Sequence, residues 1–459
     1  MTRRFRPTRV LKSGENAYIF DMGQYLSGWV ELRVRGPAGT IVVLEHAGRV
    51  NYETGKLDVR NARFFVPALQ TDSYTLRGEG EEVWSPRFTL HGFRYVEVRG
   101  YPGVPTADDL MGCAVNTDIE PAGEFECSNE LLNRIHHNVW WTFFGSFQGQ
   151  PQDAADRAER LGWLGDPGFV AEDCMFNFRD VRFWSKWLDD IADTQTPEGQ
   201  VAYVSPPFCA HGSYKYWPCW ECTYALFVWF VYWFNDDVRI LEKHVDGLCR
   251  QLAWFEAKAD RHLIVDEPLG DHMEPRWDGS SSFQPQLTPR ALTGTACYYR
   301  TARIAAEAAA VLGRTDEALA YGRLAEEIRE AFNREFFHPE SNQYASGSQT
   351  ANALALALNL APPDRVGAVL ENLVRDIEKR GGRLSTGIIG TAALEASLPR
   401  HGRADVQFRL AAQTAFPSWG YGAVNGQTTI GEVFECDHFH SLSLKMLGSI
   451  EAFFYRNLA

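Results

Sequence analysis

The sequence predicts an α+β chain of two domains, a β-sandwich over residues 1–118 followed by an (α/α)6 helical barrel over residues 119–459. Its 459 residues are more than one ordinary domain holds. Period-two alternation of apolar and polar residues dominates the first part, and helical spacing dominates the rest. The 45% of hydrophobic and 23% of charged residues are typical of a globular protein with a full core.

The first part is predicted to consist of short strands. Apolar and polar residues alternate in residues 29–35 and 95–99. Gly- and Pro-rich turn signals separate such runs, as in Gly36-Pro-Ala-Gly39 and Gly100-Tyr-Pro-Gly103. Many short strands with turns of this kind favour a sandwich.

The second part is predicted to be a series of helices. Ser128 is placed as the N-cap of a helix that begins at Asn129. Residues 300–312 form a helical pattern that ends before Gly313, a common C-terminal residue. Residues 442–458 are predicted to close the chain as one helix. Paired helices with short connections favour a helical barrel.

Charge and cysteine content restrict the partners. A formal net charge of -14 repels nucleic acid and anionic membrane surfaces, so neither is expected as a partner, and a homo-oligomer is left open. The apolar run 224–234 is too short to span a bilayer, which needs about 20 residues. Residues 1–7 are basic but precede no apolar signal region. The nine cysteines form no paired framework, which favours a cytoplasmic protein.

Two cysteine groups admit a second interpretation. Cys209-x-His211 and Cys219-Trp-Glu-Cys222 have spacings that zinc sites use. The second group opens a very apolar helix, where cysteine is usually a packing residue. We therefore predict neither a metal nor a cofactor.

One segment, residues 152–166, concentrates the residue types that active sites use. It combines carboxylates, guanidinium groups and a Trp with two helix-breaking Gly residues: Asp153, Asp156, Glu159, Asp166, Arg157, Arg160, Trp163, Gly162 and Gly165. Such a segment beside a helical barrel is typical of an active-site loop. A solvated loop with local ion pairs explains the composition equally well.

This segment resembles the motif of glycoside hydrolase family 78, the α-L-rhamnosidases. The shared residues are Asp153, Arg157, Glu159, Arg160, Gly162, Trp163, Gly165 and Asp166. The chain departs from the motif at Ala154 and Ala155, where the family often has Cys-Pro. Residues 20–30, 34–39, 70–76, 86–96, 382–391, 416–421 and 426–432 resemble further family segments in the same order. Arg383 and Gly431 replace a His and a Trp that the family usually carries there.

The resemblance implies a six-hairpin glycosidase that releases terminal α-L-rhamnose with inversion from small glycosides or oligosaccharides. It places the general acid at Glu159 and the general base at Glu432, with Glu435 as the competing position. It implies that Asp153 and Asp166 bind or support the sugar. We also place Arg157 among the substrate-binding residues.

Further substrate-binding positions are expected around this pair. Aromatic residues make up 13% of the chain, and sugars stack on aromatic faces, so we place Trp163, Trp217, Trp220 and Trp419 in the cleft walls. A role in the core has an equal claim for each. Asp271 lies in a segment similar to a family segment that contributes to the cleft. His440 and His438 follow Glu432, and a sugar contact and a structural role are both open for them.

Two alternatives remain at this stage. Helical barrels also carry hydrolases and lyases that act on uronide-containing oligosaccharides, and a lyase would use a Tyr or His base. A sugar-binding protein without activity would require the loss of Glu159 or Glu432, and both are present.

Overall fold

The computed structural model describes residues 1–51, 53–63, 70–208, 213–277, 283–435 and 439–459. Strands come first and helices follow, so the predicted class is confirmed. The strands of the first part are β1 (Arg3–Phe5), β2 (Arg9–Gly14), β3 (Ala17–Arg35), β4 (Ile41–Ala47), β5 (Arg49–Asn51), β6 (Lys56–Asp58), β7 (Thr71–Thr75), β8 (Glu81–Trp84), β9 (His91–Arg99) and β10 (Leu110–Ala114).

The predicted sandwich is built as one curled, antiparallel sheet with β3 at its centre. The order is β1-β10-β3-β9-β4-β7, and β2 and β8 also pair with β3. The 19-residue β3 changes partners along its length, and its register against β9 shifts between Asp21 and Leu26. Irregularities of this kind bend a strand and increase its twist. The sheet therefore folds over an apolar core that includes Phe20, Val30 and Phe93.

The helices of the second part are α1 (Glu130–Ser146), α2 (Gly165–Gly168), α3 (Ala171–Asn177), α4 (Val181–Asp193), α5 (Pro218–Glu221), α6 (Thr223–Asn235), α7 (Val238–Lys258), α8 (Arg290–Val311), α9 (Thr315–Phe336), α10 (Gln349–Ala357), α11 (Val366–Lys379), α12 (Ile388–Arg400), α13 (Ala404–Ala411), α14 (Trp419–Val424) and α15 (Glu451–Phe453). A short hairpin, β11 (Phe337–His338) and β12 (Gln343–Tyr344), lies between α9 and α10.

Two kinds of helix alternate along this part. Helices α8, α10 and α12 are buried along most of their length, whereas α7, α9 and α11 bury one face. Antiparallel neighbours such as α8 and α9 join through short turns. A fully apolar helix must be surrounded, whereas an amphipathic helix can face solvent. This alternation gives an inner and an outer ring of helices, as a helical barrel requires.

Two predicted boundaries differ from the structure. Asn129, not Ser128, caps α1, and its side chain accepts a hydrogen bond from the Leu131 amide at 3.0 Å. The predicted single helix over residues 442–458 is wrong. The chain there forms a 3-10 turn (Lys445–Leu447), then α15 and a π-helical turn (Phe454–Leu458). Polar contacts interrupt the helical pattern, because the buried Lys445 ammonium donates to the carbonyl of Gln152 at 2.6 Å.

The sheet packs directly against the segment that resembles the family motif. Gln70 and Gly92 exchange side-chain and backbone hydrogen bonds of 3.0 and 2.8 Å. A Cβ atom at Gly92 would overlap Asp156 and the phenol of Tyr25, so only glycine allows this approach. The backbone amide of Tyr25 donates a hydrogen bond to the Thr428 hydroxyl at 3.0 Å. The β-domain thus forms one wall beneath the 153–166 loop.

In the described part of the chain, no helix is both long and apolar enough to cross a membrane.

Candidate active site

Residues 153–166 form an irregular loop that is closed at its base. The amide of Asp153 donates to the carbonyl of Leu161 at 2.9 Å, and the Leu161 amide donates to the Asp153 carboxylate at 2.8 Å. Arg160 has a left-handed backbone with φ of 52°, which non-glycine residues adopt rarely. The loop therefore turns sharply beside Glu159 and is held by the buried carboxylate of Asp153.

One guanidinium joins the two glutamates that the resemblance singles out. Arg157 Nη1 lies 3.3 Å from Glu159 Oε2, and Arg157 Nη2 forms an ion pair with Glu432 Oε2. Glu159 and Glu432 are 273 positions apart in sequence by their numbers, yet the fold brings them to one group. A guanidinium is small and planar, so two carboxylates that contact the same guanidinium must lie close together. Glu159 and Glu432 therefore border one shared space. The Glu159 side chain is 19% exposed and that of Glu432 is 5% exposed, so the space opens on the Glu159 side.

The environment of Glu159 favours its protonated form. Burial, and then the negative charge of Asp153, raise the pKa of Glu159 to about 7, against the opposing charge of Arg157. A carboxyl with such a pKa holds a proton in a useful fraction of molecules near neutral pH. This is the property that a general acid needs.

Glu432 is fixed by the segment that follows it. Its carboxylate accepts a hydrogen bond from the Ser441 amide at 3.0 Å, and its own amide donates to the Ser441 carbonyl at 2.9 Å. The Ser441 hydroxyl donates to the Asp156 carboxylate at 2.7 Å. Glu435 instead accepts from the amide of Arg276 at 3.0 Å. Geometry therefore places Glu432, rather than Glu435, opposite Glu159.

Asp166 lies deeper in the same acidic group. Its side chain is 5% exposed, and burial raises its pKa to about 8, with the nearby Lys445 ammonium acting in the other direction. Within the described ranges its carboxyl makes no hydrogen bond with the protein. It is thus available to a ligand, whereas the carboxylate of Asp153 is already occupied by the loop.

Aromatic rings continue the site away from the carboxylates. Trp163 stacks on Tyr203 at 5.2 Å and on Trp217 at 6.0 Å between ring centroids. Tyr203 and Trp217 stack at 4.3 Å. Trp163 and Trp217 are half-buried, so both offer part of a face to a ligand. Tyr203 belongs to this wall, although no pattern in the sequence marks it as a site residue.

The other two tryptophans lie in the interior. Trp220 is 3% exposed and packs on Gly165, where a Cβ atom would overlap the indole ring. Trp419 is 2% exposed, and its indole N–H donates to the Leu447 carbonyl at 2.6 Å. For both tryptophans the sequence allows a role in the core as well as in the cleft. The burial of Trp220 and Trp419 fits the core role better.

Asp271 is also an interior residue. Its carboxylate is fully buried and accepts hydrogen bonds from the amides of Gly387, Ile389 and Gly390 at 2.9, 2.9 and 3.0 Å, and from the Thr350 hydroxyl. These amides form the start of α12, where the helix leaves its first N–H groups without partners. Geometry thus favours Asp271 as a support of α12 at the barrel mouth rather than as a direct sugar contact.

His440 lies beside a second aromatic row. Its ring contacts Phe283 edge-on at 5.7 Å, and Phe283 stacks on His272, which contacts Trp220 edge-on at 5.2 Å. His440 is 4% exposed. His438 lies outside the described residues.

Several buried acids around the site were not predicted. Glu274 accepts backbone hydrogen bonds from Gln286 and Leu287 at 2.6 and 2.8 Å, and burial raises its pKa to about 7. Glu221 is fully buried and accepts from the Trp217 amide at 2.8 Å and from the Trp254 indole at 3.0 Å. No sequence pattern marks these acids, because their partners are backbone groups of distant loops.

The cysteine groups offer no metal-like arrangement in the described ranges. Cys219 and Cys222 are buried, and the Cys222 thiol lies 3.4 Å from the Cys219 carbonyl. Cys209 and His211 lie outside the described residues. In the sheet, His46, Asp72 and His91 place one donor atom each within 4.8 Å of one another, but His91 and Asp72 already pair at 2.9 Å.

Two families of domains match the chain. Residues 120–458 match the six-hairpin glycosidase domain of bacterial α-L-rhamnosidases, and residues 11–116 match their concanavalin-like domain. An α-L-rhamnosidase of Streptomyces avermitilis is 34% identical over 460 residues, which cover 98% of this chain and 43% of that relative. The chain spans about half the length of the curated relatives it matches.

Solved structures share the same architecture. An α-L-rhamnosidase described as from Dictyoglumus thermophilum superposes with a TM-score of 0.94 at 36% identity, covering 99% of this chain and 51% of that chain. The Streptomyces avermitilis α-L-rhamnosidase complexed with L-rhamnose superposes with a TM-score of 0.92 at 32% identity, covering all of this chain and 44% of that one. The curled sheet and the helical barrel are thus the concanavalin-like and six-hairpin domains.

Proposed function

Because the chain belongs to the bacterial α-L-rhamnosidase family, we propose that it is an inverting glycosidase that releases terminal α-L-rhamnose from small glycosides or oligosaccharides. The observation that carries the proposal is the meeting of Glu159 and Glu432 at the guanidinium of Arg157. An inverting reaction needs one carboxylic acid and one carboxylate on opposite sides of the sugar, roughly 6.5–9.5 Å apart.

The two glutamates have environments suited to different roles. Glu159, whose pKa is raised to about 7, donates its proton to the leaving glycosidic oxygen. Glu432 stays in contact with the Arg157 cation and removes a proton from the attacking water. Water attacks the anomeric carbon from the face opposite the leaving group, so the released sugar has the inverted configuration.

The surrounding residues would hold the sugar between the two acids. The free carboxyl of Asp166 accepts or donates a hydrogen bond to a sugar hydroxyl, and Asp153 keeps the loop in place. The partly exposed faces of Trp163 and Trp217 offer apolar contact to the C–H face of the ring and to the methyl group of a 6-deoxy sugar. Arg157, which contacts both glutamates, also lies where it would contact the ligand or the water.

The test is a product assay with the purified protein. Incubation with an aryl α-L-rhamnoside and with a rhamnose-terminated disaccharide should release L-rhamnose, measured by chromatography against a standard. Aryl β-D-glucuronide serves as the comparison substrate. Release of a uronic acid, or an ultraviolet-absorbing unsaturated product from a uronide oligosaccharide, without release of rhamnose would contradict the proposal.

A cytoplasmic setting completes the proposal. The chain has nine cysteines, and those in the described ranges are free thiols that are buried or half-buried. Free thiols of this kind support a reducing compartment. Cell fractionation tests this placement, and recovery of the protein from the medium would contradict it.

A further inference from the structure

A second cavity lies among the helices of the barrel, apart from the Glu159–Arg157–Glu432 group. It measures about 620 Å³, a size at which pockets hold small organic ligands. Its lining follows α12 from Ile389 to Arg400 and includes no carboxylate of the 153–166 loop. Its wall also includes Phe230 and Trp233 from the second half of α6.

The acids in the cavity wall do not neutralise all of its arginines. Glu172 pairs with Arg456, and Glu307 pairs with Arg303 at 2.8 Å. Two further acids, Asp173 and Glu395, are 2% and 8% exposed. Burial raises the pKa of Asp173 to about 8 and that of Glu395 well above its usual value, and in the described ranges neither carboxyl forms an ion pair with an arginine of the wall.

Arg300 and Arg400 are the arginines that remain. Within the described part of the chain, Arg300 makes neither a hydrogen bond nor an ion pair, and its guanidinium lies 5.9 Å from the ring centre of Phe230. Arg400 donates to the Ala357 carbonyl at 2.9 Å and has no carboxylate partner there. Burial lowers the pKa of Arg300; the charge of Glu172 opposes this effect, and the charge of Arg400 adds to it.

Two guanidinium groups that border one cavity repel each other. In the described ranges neither has a carboxylate at ion-pair distance, although the charge of Glu172, which is already paired with Arg456, acts on Arg300. An oxyanion relieves the repulsion, because a guanidinium offers paired N–H donors that match the oxygens of a phosphate or carboxylate. The remaining volume is bordered by aromatic faces. Trp233 is 53% exposed although it is one of the largest apolar side chains, so much of its indole can contact a ring even with the Arg456 guanidinium 5.7 Å from its ring centre.

We propose that this cavity binds a ring-bearing oxyanion, with its phosphate or carboxylate on Arg300 and Arg400 and its ring against Trp233 and Phe230. The site is independent of the proposed glycosidase reaction, since none of its lining residues belongs to the Glu159–Arg157–Glu432 group.

The test is calorimetric titration of the chain with phenyl phosphate and with benzoate, which separates the two kinds of oxyanion. Phenol, which has the ring without the charge, and inorganic phosphate, which has the charge without the ring, are the comparison ligands. We expect one-to-one binding of at least one ring-bearing anion, tighter than either comparison ligand. Saturating L-rhamnose should leave that binding unchanged.

Substitutions of the lining arginines test whether the anion binds in this cavity. Arg300→Gln and Arg400→Gln should each weaken binding about tenfold or more, the effect of losing a hydrogen bond between charged groups. Arg323→Gln removes the same charge from an exposed position of α9 and should leave binding unchanged. Arg300→Lys keeps the charge but not the paired donors, and it covers the case in which Arg300→Gln fails to fold.

The proposal is overturned if neither ring-bearing anion binds at millimolar concentration. It is also overturned if folded Arg300→Gln or Arg300→Lys binds as the parent chain does, or if L-rhamnose displaces the anion.

Discussion

The side-chain amide of Asn61, in the β-domain, donates a hydrogen bond of 2.6 Å to the carboxylate of Asp156, in the loop that carries Glu159. Asp156 is fully buried, and its other oxygen accepts from the Ser441 hydroxyl beside Glu432. One carboxylate therefore connects the sheet, the loop of the proposed acid and the segment of the proposed base.

This connection predicts that the sheet takes part in positioning. Asn61→Ala should lower kcat about tenfold with little change in KM, because a hydrogen bond to a buried charge is lost and the loop relaxes. Steady-state kinetics measure both constants. Asn51→Ala, in the same domain but away from Asp156, is the control. An unchanged kcat in a folded Asn61→Ala protein would show that the sheet only supports the barrel.

Replacement of the proposed acid should abolish proton donation while leaving sugar binding. We expect Glu159→Gln to lower kcat by roughly 10²–10⁴ on a rhamnoside with an alkyl leaving group. The loss should be much smaller on a dinitrophenyl rhamnoside, whose leaving group needs no proton. Titration with L-rhamnose should still give binding. Equal losses on both substrates would remove Glu159 from the role of general acid.

The pKa of Glu159 predicts the alkaline limb of the pH profile. The reaction needs the protonated acid, so kcat/KM should fall as pH rises through about 7. The negative charge of Asp153 contributes to the raised pKa, so Asp153→Asn should move that fall to lower pH. Asp260→Asn, an exposed acid elsewhere, should leave the profile in place. A profile that Asp153→Asn leaves unmoved would contradict this electrostatic account.

The two candidate bases are separated by a matched pair of variants. Glu432→Gln should reduce turnover by roughly 10²–10⁴, because its carboxylate faces Glu159 through Arg157. Glu435→Gln should change turnover far less, since Glu435 contacts the backbone of Arg276. The reverse order in the hydrolysis assay would exchange their roles.

A buried acid outside the site predicts a pH dependence of stability. Burial raises the pKa of Asp173 from 3.8 to about 8, so the stability contribution of its proton is complete below about pH 4 and is lost as pH rises through about 8. Asp173→Asn removes this dependence. Between pH 5 and pH 8, the free energy of unfolding should therefore fall at least about 1 kcal/mol less in the variant. Urea unfolding measures it, with exposed Asp364→Asn as the control, and parallel losses would contradict the raised pKa.

The order of strands and helices was predictable from the sequence because hydrophobic periodicity reports which face of an element is buried. The same periodicity was misleading over residues 442–458, where the buried Lys445 ammonium donates to the carbonyls of Pro151 and Gln152, just before the 153–166 loop. The motif located Glu159, Arg157 and Asp166, since they are close in sequence. Tyr203, Ser441 and Glu274 were not predicted, because their places depend on contacts between loops distant in the chain.

Burial also explains why some residues that were predicted to line the cleft lie in the interior. A tryptophan that walls a cleft and one that fills a core look alike in sequence, and only packing on Gly165 or on Leu447 shows where Trp220 and Trp419 lie. Asp271 and Asp166 also look alike in sequence. Amides at the start of α12 donate hydrogen bonds to the carboxylate of Asp271, whereas the carboxyl of Asp166 is available to a ligand.

The anomeric form of the first product tests most directly whether Glu159 and Glu432 act from opposite faces of the sugar. Proton NMR during hydrolysis of an aryl α-L-rhamnoside should show β-L-rhamnose first, with the α anomer appearing only as mutarotation proceeds. Initial appearance of α-L-rhamnose would mean retention, and it would contradict a water molecule activated by Glu432.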